Sequence, residues 1–250
     1  MKLSPRARLT WCAHLYKACV KRHHRELYPA LSQLIESDFV IFDVGSHAGQ
    51  FTKLFSRLVP NGHVYAFEPG SYALSILRPA IRMNRLENVT LFPCGLGDVS
   101  GEVRLSVPIK PSGSIGYGIS HIISDDIQLI KEKRIGWGYH EELIKISTID
   151  EMVENQSIDR IDFIKADIEG WEMRMLVGAN HTLSRHKPTL MIEVDNSHLS
   201  RANDNSSILF TYLENIGYHP YKWDHRLSKF INISTPEDND IFFIDKEKYI

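Results

Sequence analysis

Four short runs in this chain have residue types and spacing suited to chemistry. The first is Asp43-Val44-Gly45-Ser46-His47-Ala48-Gly49. Gly45 and Gly49 let a backbone come close to a bound molecule, and a helix beginning there offers free N–H groups. A structural tight turn needs no more than this, but Asp43 narrows the reading. An acid beside the first glycine repels a pyrophosphate and suits the ammonium group of a methionine moiety, which favours S-adenosyl-L-methionine over a dinucleotide. The second run is Glu68-Pro69, where an acid ending a strand accepts both hydroxyl protons of a ribose, or is a surface residue before a proline turn. The third is Cys94-Gly95-Leu96-Gly97-Asp98, in which Asp98 either faces an adenine amine or caps a turn. The fourth runs from Asp162 to Gly170 and puts Lys165, Asp167 and Glu169 at the end of an apolar strand. Charge is costly to bury there unless it is paired or functional, and an ion pair of Lys165 with a neighbouring acid is the structural alternative.

The elements that must position these runs alternate. Apolar β-rich runs at 39–42, 63–67, 89–92, 161–167 and 189–194 are separated by helical periodicity through Phe51–Leu58, Leu74–Ile81, Trp171–Leu183 and Ser206–Asn215. Strand–helix alternation implies parallel pairing with crossover helices, and loops at the carboxyl ends of such strands converge on one crevice. The spacing predicts one helix from Trp171 to Leu183. It also predicts two last strands, near Tyr218 to Trp223 and Ile241 to Ile244, that pair as an antiparallel hairpin. Residues 101–147 read as an inserted hairpin with loops. Within it, the glycines and the aromatic residues Tyr117, Trp137 and Tyr139 between Pro108 and His140 suggest a lid over an acceptor.

These runs together resemble the FkbM family of methyltransferases. The resemblance covers residues 38–195 and rests on DVGSHAGQF from Asp43, AFEP from Ala66, GLGDVSG from Gly95, TIDE from Thr148 and DFIKADIEGWE from Asp162. Ser46 and Ala166 depart from the usual pattern, and neither departure removes a proposed ligand. The resemblance implies an α/β, Rossmann-like doubly wound methyltransferase sheet, mostly parallel with an antiparallel C-terminal strand. It also implies S-adenosylmethionine as donor and an oxygen acceptor on a sugar, glycolipid or secondary metabolite. The expected cofactor contacts are Asp43, Gly45, Ser46, His47, Gly49, Phe51, Glu68, Pro69, Gly97, Asp98 and Asp167. Asp167, Lys165 and Glu193 are the expected catalytic residues, and Asp167 with Glu193 would be the ligands of any divalent cation. An NAD-dependent oxidoreductase would need a Gly-x-Gly-x-x-Gly turn, and Ser46 and His47 interrupt that pattern. A binding module without catalysis would have lost Asp43, Glu68 or Asp167.

The rest of the sequence sets bounds. It has 250 residues, 43% hydrophobic and 24% charged, with a formal net charge of -2, ordinary for a soluble domain and giving no global attraction to nucleic acid. Its three cysteines lack metal spacing and fit a reducing, cytoplasmic setting. No run approaches the roughly 20 apolar residues of a bilayer span, and no signal peptide is visible. Residues 1–37 read as a basic helical segment ahead of a domain at 38–250. Leu9, Cys12, Ala13, Tyr16, Cys19 and Val20 recur at helical spacing among Lys and Arg, with no acid in the first 25 residues. Such a helix either packs on the domain with its charges in water or lies on an anionic membrane surface.

Overall fold

The computed structural model describes residues 5–21, 23–109, 121–123, 138–237 and 239–248. Most of the suggested lid, including Tyr117 and Trp137, lies outside these residues.

Two helices open the chain, α1 (Pro5–Val20) and α2 (Tyr28–Leu34). The first alternating units follow: β1 (Val40–Val44), α3 (Gln50–Leu58), β2 (His63–Phe67), α4 (Ser71–Met83) and β3 (Val89–Phe92). Next come β4 (Gly95–Leu96), β5 (Gly101–Ile109), β6 (His121–Ile123), β7 (Gly138–Ser147) and α5 (Ile149–Asn155). The last part holds β8 (Phe163–Ala166), α6 (Glu172–Val177), α7 (Asn180–His186), β9 (Thr189–Val194), α8 (Asn196–Leu199), α9 (Ser206–Asn215), β10 (Tyr218–Asp224), β11 (Lys229–Asn232) and β12 (Asn239–Asp245).

The main sheet runs β11-β10-β12-β9-β8-β1-β2-β3. β3, β2, β1, β8 and β9 are parallel, and β12 is antiparallel to both β9 and β10. β10 and β12 do pair antiparallel, but not as a simple hairpin. β11 lies between them in sequence and adds to the far edge of β10. β5 and β7 form a second, antiparallel ladder from Gly101↔Ile146 to Ile109↔Gly138.

Successive residues of β1 face opposite sides of the sheet. Ile41 joins Leu31, Phe55 and Phe163 on one side, while Phe42 and Val44 join Ile164, Leu176 and Ile192 on the other. A central strand covered on both faces must be apolar throughout, so Asp43 in β1 and Lys165 in β8 are exceptions that need partners.

Two expectations need correction. The helix drawn from Trp171 to Leu183 is two helices broken at Gly178-Ala179. A Cβ at Gly178 would sit 2.0 Å from the carbonyl oxygen of Gly97, so only glycine allows this approach. The Gly178 carbonyl then accepts from the Asp150 N–H, and the Asp150 carboxylate accepts from His181 N and Thr182 N at the start of α7. Second, α1 packs on α4 through Trp11, Leu15, Ala18 and Cys19, and of these only Cys19 belongs to the face read from its apolar spacing. Residues before 38 also contribute to the core, with Leu27, Ala30, Leu31 and Ile35 buried against β1 and α3.

The end of α1 is fixed by one side chain. The buried Lys53 of α3 donates to the carbonyls of Ala18 (2.5 Å), Cys19 (3.2 Å) and Lys21 (2.8 Å). These are groups that a helix end otherwise leaves unsatisfied. Removing a charged donor typically costs about 1.5–3 kcal/mol. Lys53→Met is therefore expected to speed amide exchange in α1 by about tenfold or more while β1, β8 and β9 exchange as before. Unchanged exchange in α1 would show that its packing on α4 is sufficient.

Candidate active site

The site lies at the carboxyl ends of β1, β2 and β8. After β1 the chain turns sharply, and Gly45 N and Ser46 N both donate to the Phe67 carbonyl at the end of β2 (3.1 and 3.0 Å). Gly45 has φ +73°, and a Cβ there would lie 1.9 Å from the Asp167 carbonyl oxygen. The turns after β1 and β8 are thus in backbone contact, and no side chain fits between them. Glu68 ties in the third turn: Oε2 accepts from His47 N and Oε1 from Gly70 N, both at 2.8 Å.

Beneath these turns lies a line of buried charge. Asp43 and Lys165 are direct partners in the β1–β8 register, with Lys165 Nζ 3.9 Å from Asp43 Oδ1. Thr52 Oγ1 donates to Asp43 Oδ2 at 2.5 Å. Lys165 Nζ also donates to the Gly45 carbonyl (3.2 Å) and to Asp167 Oδ2 (3.4 Å). The Phe51 ring lies 5.2 Å away. Burial pushes the Lys165 ammonium down, but Asp167 and Asp43 more than offset it and hold the group above its ordinary value. Asp167 is bonded on its other side to Glu193. Burial pushes Asp167 up, but Lys165 and Glu193 outweigh it and keep it low, while burial and Asp167 together hold Glu193 well above the carboxylate range. Asp167 is therefore the ionised partner and Glu193 the protonated donor.

A cavity of about 320 Å³ opens over this line. Of the residues expected at the site, Gly45, Ser46, His47, Phe51, Glu68, Pro69, Lys165 and Asp167 border it. Other expected residues stand elsewhere. Asp43 is fully buried and acts on Lys165, not on the cavity. Gly49 (φ +83°) packs on Leu77. Gly97 packs on Ile146 and Trp171. Asp98 does not border the cavity and pairs instead with Arg174 of α6, 3.1 Å off. Glu193 stands behind Asp167. Among the described residues, no group of three or more His, Cys, Asp or Glu is arranged to hold a metal ion.

The structure adds residues the sequence reading did not assign to the site. His23 and His24 reach the cavity from the segment after α1, and the His24 ring stacks on Phe51 with centroids 3.8 Å apart. Trp171 and Glu142 also border it. Glu169 projects from a left-handed backbone (φ 57°) into the same wall, with His198 Nδ1 3.2 Å and Arg201 Nη1 3.7 Å from its Oε2. A left-handed non-glycine residue beside ligand-facing groups stores strain that the surrounding loop must hold. Burial, with the Asp167 charge, raises Glu169 to about 8, against the pull of Arg201.

The sheet order, with reversed β12 between β9 and β10, defines a Rossmann-like methyltransferase fold. A profile of the methyltransferase FkbM domain matches residues 43–220, and the chain belongs to that family. It is 26% identical over 166 residues to the 2-O-methyltransferase NoeI of Sinorhizobium fredii, covering 65% of each chain. It is 24% identical over 147 residues to Methyltransferase 1 of Beauveria bassiana, covering 56% of this chain and 58% of that one. The chain therefore spans less than two thirds of the length of either relative. A crystal structure of a methyltransferase FkbM from Methylobacillus flagellatus has the same fold. Its TM-score is 0.51 at 18% identity, over 96% of this chain and 59% of that chain.

The buried acids make stability pH-dependent. Glu172 accepts from Ile168 N and Gly170 N and so holds the loop that carries Glu169. Burial raises it from 4.5 to about 7. Its protonated form stabilises the fold; that contribution is whole below 4.5 and is lost as pH climbs through about 7. Glu172→Gln removes the titration. Between about pH 5 and pH 8 the wild type should lose on the order of 2 kcal/mol more stability than the variant. Parallel melting curves for the two proteins across that range would contradict the assignment.

Proposed function

We propose that this protein transfers a methyl group from S-adenosylmethionine to a hydroxyl of a sugar or other small-molecule acceptor. The charge inventory of the cavity carries the reading. Its described lining has four acidic side chains (Glu68, Glu142, Asp167 and Glu169), of which Asp167 is held ionised, no arginine, and one lysine already committed to Asp43 and Asp167. Acids beside apolar walls from Phe67, Leu96 and Trp171 suit a cationic nucleoside and repel a pyrophosphate, which argues against a dinucleotide. When bound, S-adenosylmethionine supplies an already activated methyl group. Glu68 would hold its ribose, Gly45 and Ser46 its amino-acid end, and Phe51 and Pro69 its apolar contacts. The name of the relative NoeI, a 2-O-methyltransferase, supports an oxygen acceptor.

The remaining work is positioning and proton removal. Asp167, held low by Lys165 and Glu193, is a weak base and a strong hydrogen-bond acceptor, so it orients the acceptor hydroxyl. Glu169, raised to about 8, is better matched to take the hydroxyl proton on its carboxylate as the methyl–oxygen bond forms. Lys165 positions Asp167.

Calorimetry with S-adenosylhomocysteine tests the donor site. The wild type should bind, and Glu68→Ala should bind about tenfold or more weakly. A folded wild type that does not bind ends the reading.

A labelled donor with a panel of hydroxylated acceptors tests the roles. Asp167→Asn and Glu169→Gln should keep S-adenosylhomocysteine affinity and slow transfer by about 100-fold. The wild-type rate should rise with pH towards about 8, and Glu169→Gln should lose that rise. Activity should survive EDTA; loss on chelation would return Asp167 and Glu193 to a metal site.

A further inference from the structure

The helix α1 has two apolar faces. Trp11, Leu15 and Ala18 pack on α4, where Trp11 Nε1 also donates to Ser75 Oγ at 2.9 Å. The opposite face carries Leu9, Cys12, Ala13, Tyr16 and Val20, all exposed. Leu9, Tyr16 and Val20 are 73%, 62% and 58% exposed, so the stripe is open along the helix and not merely grazed by solvent. Positions 9, 13, 16 and 20 fall on one line of an α-helix. The other exposed residues from 8 to 21 are Arg8, Lys17 and Lys21. Arg8 and Lys17 flank the stripe on opposite sides, and the first 25 residues contain no acid. A helix face turned to water is ordinarily polar with mixed charge. Here every described exposed position is apolar or basic. Nor can the helix roll to hide the stripe, because α4 and the Lys53 clamp hold its other side.

We propose that α1 is an interfacial helix that docks this protein on an anionic lipid surface. The stripe would enter the boundary between headgroups and acyl chains, with Tyr16 at headgroup level and the flanking cations on lipid phosphates. The charges decide the partner. A second copy of this chain would bring the same cations face to face, whereas an anionic bilayer meets both the apolar stripe and its basic margins. No described helix is long and apolar enough to cross a membrane, so the contact is one of docking. Because α1 leads straight into His23 and His24 at the cavity wall, docking also holds that wall close to the bilayer. The proposal goes beyond methyl transfer and does not depend on it.

The test is co-sedimentation of the full chain with phosphatidylcholine vesicles, with and without about 30 mol% phosphatidylglycerol. The wild type should pellet with the anionic vesicles, and binding should fall by about tenfold or more without phosphatidylglycerol or in high salt. A Leu9→Gln/Tyr16→Gln/Val20→Gln variant should stay in the supernatant while its melting temperature and S-adenosylhomocysteine affinity match the wild type. The idea fails if the wild type ignores anionic vesicles, or if the variant pellets equally well. It also fails if the wild type is a dimer that the variant dissociates and neither binds lipid, since the stripe is then an interface between copies. A wild type that pellets but does not bind S-adenosylhomocysteine supports docking and overturns the methyl-donor reading alone.

Discussion

A lysine ammonium left 3% exposed inside a parallel sheet cannot stay charged without anions beside it, and Lys165 has two. Removing one member of such a pair strands a buried charge and typically costs about 3–5 kcal/mol. The pair also fixes geometry. Asp43 and Lys165 face each other only if β1 and β8 keep their register, and a one-residue slip of either strand would put the two side chains on opposite faces of the sheet. From Lys165 the chain of contacts continues outward to Asp167 and Glu193. Charges at the floor therefore set the protonation of the acids at the wall. The turns above are locked to the same floor, since Lys165 also holds the Gly45 carbonyl.

The legible part of this architecture is the part written in local runs. A strand, a glycine turn and a helix occur within about 15 residues, so the strand ends at Gly45 and Glu68 could be placed from their neighbours alone, whereas Asp43, read as a cofactor contact, turns inward to Lys165. The parallel order followed, and so did the reversed last strand once the family resemblance was added. What failed was decided by distant residues. Asp98 pairs with Arg174, on another element and 76 positions on. The break in the Trp171–Leu183 helix comes from the Gly97 carbonyl pressing on Gly178. His24 reaches the cavity because it stacks on Phe51, 27 positions on, and nothing around His24 in the sequence announces this. The face of α1 was misread for a different reason: both sides are apolar, and periodicity finds an apolar face without saying what covers it.

The same contrast separates the two kinds of acid around the cavity. Glu68 and Glu172 are bonded to backbone N–H groups and shape loops, although both carboxyls sit high enough to titrate near neutrality. Asp167 and Glu169 are bonded mainly to side chains, and those can move when a ligand arrives. Four carboxyls within a few residues of two turns thus divide into fixed supports and adjustable groups according to what holds them. Residue type alone does not tell them apart.

The Lys53 clamp has a consequence for how this chain can diverge. Among the described residues its ammonium donates to main-chain oxygens alone, at positions 18, 19 and 21. Every amino acid supplies such an oxygen, so the clamp places no demand on the identity of the residues it holds. The leading helix can exchange its outward side chains freely and still be delivered to the same place on the body. Relatives that retain the lysine can thus carry arms of quite different surface character on an unchanged sheet, and the arm becomes the part of the molecule where new destinations are acquired at little structural risk.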